Sequence, residues 1–319
     1  MDDGGPSPRL PRAALSAEFG DQRPGGSDVS QTETIASHVG SDNYLLDGFK
    51  WFSSATDSDM SLALARTGDP SRGSRSLSLF LIPLNPSLYP DTTDPRTQST
   101  RNGVLVHRLK NKFGTQIVPT AELSLQGTHA QLIGGLDQGI KTVSPVLNIT
   151  RVHSAIGSVG YVRKALSLAT SYASIRRTGA ERILLRDIPL HLNELAKLTV
   201  TYKALTHFAF EVIGLLGKVE CQTADELARH RLRVLTPVLK AFCAEKGVQA
   251  TIECMTALGG EGYMEENGIG RLVRDGIVEK IWEGTTSVLS LDMIRAFQTR
   301  GAIEALSQVS QPSQSRLFI

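Results

Sequence analysis

Hydrophobic positions follow two different periods along the chain, and the change falls near residue 135. In the earlier part, short alternating or β-rich runs recur between Gly and Pro residues, at 44–46, 49–53, 61–65, 77–84, 104–109 and 122–125. Several short strands at such intervals indicate a small sandwich or barrel. Asp47-Gly48, between the first two runs, predicts a hairpin turn. The stretch 85–102, which holds three prolines, predicts an exposed loop between strands.

After residue 135 the apolar side chains recur at spacings of three and four, as on one face of a helix. One stripe covers residues 152–169, a second covers 192–216, and a third begins at Leu232 and includes Phe242. A fourth follows Gly284, with Val288, Leu289, Met293, Ile294 and Phe297. Four long amphipathic helices joined by loops predict a bundle.

Together these patterns predict an α+β fold, in which a small antiparallel β domain (a sandwich or barrel) precedes a C-terminal four-helix bundle. We expect the β domain over residues 23–135 and the bundle over residues 136–305. Residues 1–22 lack periodicity and predict a disordered lead-in with no fold, and residues 306–319 predict a flexible tail.

Composition narrows the class of function. A chain of 319 residues with 40% hydrophobic content can bury a large core. Its net charge of +2 gives no basic footprint for nucleic acid, so a small-molecule ligand is favoured. Three cysteines without metal-ligand spacing favour a reducing compartment, and the histidines predict no metal site. We expect no membrane span and find no targeting signal that separates cytoplasm from mitochondria.

The run Trp282-Glu283-Gly284-Thr285-Thr286 places one carboxylate between an indole and a glycine turn that opens a helix. We expect Thr285, Thr286 or Ser287 to cap that helix. Walls formed by Trp282 and Ile281 would desolvate the carboxylate and raise its pKa toward the range of a general base. Taken alone, a Glu near a helix start is more often a partner of the helix dipole.

Four motifs, in order along residues 23–296, carry a resemblance to a known family. They are Pro24-Gly25-Gly26-Ser27-Asp28-Val29, Gly48-Phe49-Lys50-Trp51-Phe52-Ser53, Leu258-Gly259-Gly260-Glu261-Gly262-Tyr263 and Ile281-Trp282-Glu283-Gly284-Thr285. The chain resembles the acyl-CoA dehydrogenase family. Residues 108–115 and 147–151 are similar to the AidB-like branch, whose members bind FAD and are linked to alkylation stress.

The resemblance implies FAD as cofactor, bound between a middle β domain and the bundle and across a dimer contact. It assigns to Glu283 the removal of the α-proton of an acyl-CoA or related thioester, while the β-hydride passes to flavin N5. It also implies a homodimer or homotetramer and an electron-acceptor flavoprotein as partner. Donors expected at the thioester carbonyl are the backbone N–H of Glu283 and a flavin hydroxyl.

The same resemblance suggests roles for further residues. Trp51 would lie against the flavin ring and Ser53 would reach its N5 region, although Trp51 alone is read more readily as a core aromatic. Gly26 and Ser27 would line the flavin or its pyrophosphate, where an ordinary loop is the alternative. Arg176 would meet the FAD pyrophosphate of the neighbouring subunit, and Thr285 and Ser287 would serve FAD. Beside the base, Gly284 forms the turn, and Arg151 either supports this loop or forms a buried ion pair.

The family normally begins with a helical domain, for which this sequence shows only about twenty-two unstructured residues. Since that domain forms one wall of the acyl pocket, we expect weak or absent dehydrogenation from this chain alone. A non-catalytic oligomerisation or regulatory module is therefore the alternative function. Nucleic-acid association through the basic run 229–233 is less favoured, because such a run is usually a solvated helix face.

Overall fold

The structure is a computed structural model that describes residues 16–18 (backbone only), 26, 28–84 and 102–307. Of these residues, one compact unit takes those up to Lys112 and Gln116–Pro145, and a second takes Phe113–Thr115 and those from Val146 onward. The first unit is built of strands and the second of helices, which confirms the predicted α+β fold. The division at Pro145 falls inside a helix, later than the predicted boundary at residue 135.

Seven strands of the first unit form one sheet. They are β1 (Ser16–Glu18), β2 (Ile35–Gly40), β3 (Asn43–Ser54), β4 (Met60–Arg66), β5 (Leu77–Pro83), β6 (Val104–Leu109) and β7 (Thr120–Ile133). The pairings β4–β2, β2–β3, β3–β7, β7–β5 and β5–β4 close in a ring, so this sheet is a barrel. β6 is added to β7 and β1 to β4. The pairing is antiparallel except where β1 and β2 run parallel to β4.

Side chains on one face of each strand fill the barrel, because successive residues of a strand point to opposite faces. Its buried core is Tyr44, Leu46, Ala63, Ala65, Phe80, Ile82, Leu84, Val104, Ala121, Leu123, Leu125 and Ala130. Lys50 also lies inside, where its ammonium donates to the carbonyl of Leu64. The predicted strand runs therefore supply most of this core.

The predicted hairpin turn at Asp47-Gly48 is wrong, because β3 runs unbroken through these residues. The turn lies instead at Ser41 and Asp42, between β2 and β3, and the sequence reading missed β2. Gly48 is required by a close approach: a Cβ there would lie 2.7 Å from the Cα of Thr34. A glycine forced by packing and a glycine forced by a turn look alike in sequence.

Three further expectations concern the predicted lead-in, the predicted loop and the predicted tail. Strand β1 lies within residues 1–22, so the prediction of no fold there is wrong for Ser16–Glu18, whose backbone pairs with β4. The loop predicted over 85–102 lies outside the described residues except for Asn102. That residue is buried and its amide donates to the carbonyls of Pro83 and His129, at 2.8 Å each. Of the predicted tail, only residues 306 and 307 are described, and they are helical.

Helices of the second unit are three long ones and three short ones in the described residues. They are α1 (Gly139–Ile175, which begins in the first unit), α2 (Pro189–Glu220), α3 (Glu226–Thr256), α4 (Ile269–Val278), α5 (Thr286–Phe297) and α6 (Ala302–Ser307). A short hairpin, β8 (Arg177–Thr178) with β9 (Ile183–Leu184), connects α1 to α2. None of the helices in the described part of the chain is long and apolar enough to cross a bilayer.

The predicted apolar stripes form the helical core. Val152, Val159, Leu166, Leu198, Leu205, Val212, Leu232 and Leu239 are all buried in it. Leu192 and Phe242 were placed on these stripes but remain 53% and 46% exposed. The fourth predicted helix is α5, which has only 12 residues and is preceded by α4 with 10, so the prediction of four long helices is wrong for this element.

Phe113–Thr115 comes from the β-rich part of the sequence but packs in the second unit. The amide of Thr115 donates to Asp275 Oδ1 at 2.6 Å. Gly114 lies so close to α4 that a Cβ there would be 2.3 Å from the carbonyl oxygen of Arg274. Position 114 therefore requires glycine, because there is no space for a Cβ atom.

Candidate active site

Glu283 lies in a tight turn between α4 and α5; we call residues 282–284 the Glu283 turn. Its φ is 56°, and that of Gly284 is 101°. A left-handed conformation costs a non-glycine residue roughly 1–2 kcal/mol, so contacts around the turn must hold it. Thr285 is the N-cap residue of α5, which confirms the predicted helix start.

The carboxylate of Glu283 is half-buried and has one side-chain partner among the described residues. Thr150 Oγ1, from α1, donates to Glu283 Oε2 at 2.7 Å. Ile281 and Trp282 remain 60% and 43% exposed, so they do not enclose the carboxylate as the sequence predicted. The orientation of Glu283 depends instead on the hydroxyl of Thr150.

All three carbonyl groups of the Glu283 turn accept hydrogen bonds from basic side chains. Lys240 Nζ, from α3, donates to the carbonyl oxygens of Trp282 and Gly284 at 2.6 and 2.7 Å. Arg151 Nε, from α1, donates to the carbonyl oxygen of Glu283 at 3.3 Å. Two long helices therefore hold the backbone that carries the carboxylate.

The indole of Trp282 is fixed by a second carboxylate. Its Nε1–H donates to Glu279 Oε2, which also accepts a bond from Ser154 Oγ. Glu279 is buried, and this burial raises its pKa despite the two hydrogen bonds and the positive charge of Lys240. Thr150 and Ser154 are one helical turn apart on α1, so one face of that helix serves both carboxylates.

Arg151 also takes part in an ion-pair cluster. Its Nη1 donates to Asp292 Oδ2 at 2.7 Å, and Arg233 donates to both oxygens of Asp292. Burial by itself would raise the pKa of Asp292, but the bonds and charges of Arg233 and Arg151 outweigh it, so the pKa lies below its usual value. The guanidinium of Arg151 thus both contacts the Glu283 turn and pairs with a partly buried carboxylate, the two alternatives raised by the sequence.

The backbone N–H of Glu283 has no hydrogen-bond partner among the described residues. It lies next to the carboxylate that Thr150 orients. A half-buried carboxylate beside an unpaired N–H can take a proton from a molecule whose carbonyl oxygen accepts a bond from that N–H.

Three candidate cofactor residues lie in the second unit. Thr285 and Ser287 are exposed at the start of α5, and the Thr285 side chain does not cap the helix. Their hydroxyls and the free amides of that first turn suit an anionic group such as a phosphate. Arg176 is exposed just after α1, where its backbone bonds Tyr172 and Leu185.

The remaining candidates lie in the first unit. Trp51 is half-buried on β3, and Lys110 Nζ lies 3.3 Å from the centroid of its ring. Lys110 is in turn paired with Glu122 at 2.8 Å. Ser53 is fully buried, which does not favour direct contact with a cofactor. Gly26 is exposed with a φ of 42°, whereas Ser27 lies outside the described residues.

Sequence reasoning missed Lys240, Glu279 and Asp292. For Lys240 a signal exists: it lies four residues after Thr236 and three before Cys243, so it shares a face with buried residues of α3. A lysine on the buried face of a helix is rare and calls for a polar partner. Glu279 directly follows the short helix α4 and Asp292 lies on the short helix α5, and the buried faces of such short helices give no clear pattern in the sequence.

The chain matches the family described as acyl-CoA dehydrogenase, middle domain, over residues 21–128, and acyl-CoA dehydrogenase, C-terminal domain, over residues 137–298. It is 40% identical over 291 residues to acyl-CoA dehydrogenase family member 11 of Caenorhabditis elegans, covering 90% of this chain and 45% of that protein. It is 30% identical over 300 residues to AidB of Escherichia coli (strain K12), covering 93% and 51%.

Among solved structures, the chain is similar to Caenorhabditis elegans ACDH-11 in complex with C11-CoA. The TM-score is 0.83 at 39% identity, covering 91% of this chain and 48% of that one. The chain therefore spans about half the length of the curated relatives it matches.

Proposed function

The chain belongs to the acyl-CoA dehydrogenase family, and on that premise we propose that it acts as an FAD-dependent oxidoreductase on an acyl-CoA thioester. Proteins of this family bind FAD and are oxidoreductases. The observation that carries the proposal is the Glu283 turn, where one residue has both an oriented carboxylate and an N–H without a partner in the described part of the chain.

Glu283 takes the α-proton in this proposal. The electron pair of the broken Cα–H bond forms the Cα=Cβ double bond, and a hydride leaves Cβ. Bound FAD supplies the acceptor for that hydride. Thr150 orients the carboxylate, and the N–H of Glu283 donates to the thioester oxygen, where negative charge develops as the proton leaves. Without such a donor a carboxylate is far too weak a base for this C–H bond.

The residues present fit the cofactor in part. The exposed hydroxyls of Thr285 and Ser287 at the uncapped start of α5 would bind its polar groups. Trp51 offers an indole for the flavin ring, and Arg176 an exposed guanidinium for a pyrophosphate. Gly26, which has no side chain, would let the backbone approach the flavin or its pyrophosphate. Ser53 remains a proposed contact that its burial does not support.

The branch of the family, the oligomeric state and the electron acceptor are also proposals. We place the chain in the AidB-like branch, supported by its identity to AidB. We propose a homodimer or homotetramer, because Leu190, Val200 and Phe210 on α2 are 80%, 66% and 62% exposed. A flavoprotein would accept the electrons. Nucleic-acid binding has less support, because Arg231 donates to the carbonyl of Ala305 and Arg233 to Asp292.

The first test is the full chain with FAD and C11-CoA, the ligand named for the Caenorhabditis elegans structure. We expect a yellow protein whose flavin absorbance falls on addition of C11-CoA. Glu283→Gln should bind both molecules but lose turnover about 10²- to 10⁴-fold, the usual contribution of a general base. Glu253→Gln, an exposed carboxylate on α3, serves as the control and should match the unmodified chain.

The alternative, a non-catalytic oligomerisation or regulatory module, predicts different results. A colourless chain that takes up no FAD, or a Glu283→Gln variant with unchanged turnover, would contradict the proposed enzyme. In the module, substitution of Glu283 would leave assembly unaltered.

A further inference from the structure

Lys240 is fully buried in the middle of α3, where a lysine destabilises a fold unless its charge is compensated. Its two hydrogen bonds to backbone both go to the Glu283 turn, one on each side of Glu283. Within the described residues, this ammonium donates to no other part of the bundle. The lysine therefore acts on that turn and not on the bundle generally.

The geometry of the peptide bond links Lys240 to the N–H of Glu283. The carbonyl of Trp282 and the N–H of Glu283 belong to one planar trans peptide, in which they point in opposite directions. Because the ammonium holds the carbonyl toward α3, the N–H must point away from α3. A positive charge at the carbonyl end also polarises the peptide and strengthens the N–H as a donor.

Three charged groups, each from a different element, affect the pKa of Lys240. Glu279 follows α4 and Glu283 lies in the turn, and both favour the charged lysine; Arg151 on α1 disfavours it. Burial has the largest effect and lowers the pKa of Lys240 to about 8. The ammonium is therefore charged at neutral pH and loses its charge within the range in which enzymes are assayed.

We propose that Lys240 is a positioning residue, which holds the carbonyls of Trp282 and Gly284 so that the N–H of Glu283 is aimed and polarised toward the thioester carbonyl. The role in catalysis rests on the proposed function of Glu283, whereas the hold on the turn does not. The two parts therefore need separate measurements.

Hydrogen exchange of the full chain, without FAD or substrate, tests whether Lys240 holds the Glu283 turn in place. In Lys240→Met we expect at least about fivefold faster exchange at the amides of Ile281, Trp282 and Leu289, whose bonds flank the turn. Lys246→Met, an exposed lysine on the same helix, should leave these amides unchanged. Should Lys240→Met not fold, Lys240→Gln, which keeps a donor without the charge, is measured in its place. Unchanged exchange at the turn, or an equal rise throughout the bundle, would overturn the inference.

Kinetics of the FAD-loaded chain test whether Lys240 orients the N–H of Glu283 for catalysis. We expect Lys240→Met to lower kcat about 10- to 100-fold at pH 7 with KM within twofold. Because the unmodified chain loses the charge above pH 8, the ratio of the two kcat values should fall toward 1 near pH 10. Equal kcat at pH 7, or a ratio that does not change with pH, would refute the catalytic role. If the unmodified chain binds no FAD and shows no turnover, the proposed function fails, and the exchange result alone decides whether Lys240 holds the turn.

Discussion

At the scale of single residues, Lys240 makes a contribution to the free energy of unfolding that increases with pH. Its pKa is about 8 in the folded chain against an ordinary 10.5. Below pH 8 the lysine is charged in both states, and its burial lowers the free energy of unfolding by at most about 3 kcal/mol. Between pH 8 and 10.5 the unfolded chain binds more protons, so this penalty disappears as pH rises.

We therefore expect the free energy of unfolding to rise less between pH 7.5 and 10 in Lys240→Met than in the unmodified chain, as measured by urea titration at both pH values. Burial raises the pKa of the Cys243 and Cys254 thiols to about 12, which acts in the opposite direction. The difference between variants isolates the lysine, because the thiols are common to both. A Lys246→Met control should keep the original slope, and an equal slope in Lys240→Met would contradict the prediction.

The bond from Thr150 to Glu283 gives a second prediction at this scale. Thr150→Val keeps the shape of the side chain and removes the 2.7 Å bond to the carboxylate. A hydrogen bond to a charged group contributes about 1.5–3 kcal/mol, so we expect kcat for an acyl-CoA to fall at least about tenfold. FAD affinity should not change. Thr170→Val, on the same helix but bonded only to backbone carbonyls, is the control.

Which site residues a sequence can reveal depends on where their partners lie. Glu283 stands out because its neighbours Trp282 and Gly284 form a local pattern. Lys240 and Glu279 act through residues more than forty and a hundred positions away, at Gly284 and Ser154 respectively, and no local pattern encodes such pairs. The arginine at 151 is found by resemblance, but its pairing with Asp292 is not.

At the scale of elements, the segment Phe113–Thr115 depends on a glycine. A methyl group at Gly114 would lie 2.3 Å from the carbonyl oxygen of Arg274, which is backbone and cannot rotate away. We expect Gly114→Ala to lower the free energy of unfolding by about 1–3 kcal/mol. It should also break the bond from the Thr115 amide to Asp275.

Urea unfolding and hydrogen exchange at Thr115 measure the two effects. Gly160→Ala is the matched control, because a Cβ at that position of α1 meets nothing within 4 Å. Since alanine favours a helix more than glycine, the control should gain up to about 1 kcal/mol. Equal stability of the two variants would show that the segment can move away from α4 at no cost.

Long helices are easier to predict than the strands of this barrel. The helices α1, α2 and α3 have 37, 32 and 31 residues, so the apolar period recurs often enough that single exposed residues such as Leu192 do not hide it. In the barrel, five of the seven strands have seven residues or fewer and offer only a few alternations. Gly48 then misleads, because its cause is the approach of Thr34 and not a turn. The sequence pattern predicts the start of α5 but not its end, because a helix of 12 residues repeats its apolar period only about three times.

At the scale of the whole molecule, the proposed role of Arg176 joins cofactor binding to assembly. The guanidinium is exposed and has no ion-pair partner among the described residues, so it is free to meet a pyrophosphate. If that pyrophosphate belongs to FAD on a neighbouring subunit, the cofactor binds tightly only in the oligomer. FAD and the second subunit then stabilise each other by mass action.

We accordingly expect Arg176→Ala to weaken FAD binding about 10- to 100-fold, the usual effect of losing a charged hydrogen bond. Arg186→Ala, at an exposed arginine that already pairs with Asp187, should have little effect. Titration of the chain with FAD, followed by flavin fluorescence at several protein concentrations, measures both affinity and its coupling to assembly. An affinity independent of protein concentration, with Arg176→Ala unchanged, would mean that each subunit binds FAD alone. A monomer in light scattering whose affinity for FAD is tight would lead to the same conclusion, because no neighbouring guanidinium would then be available.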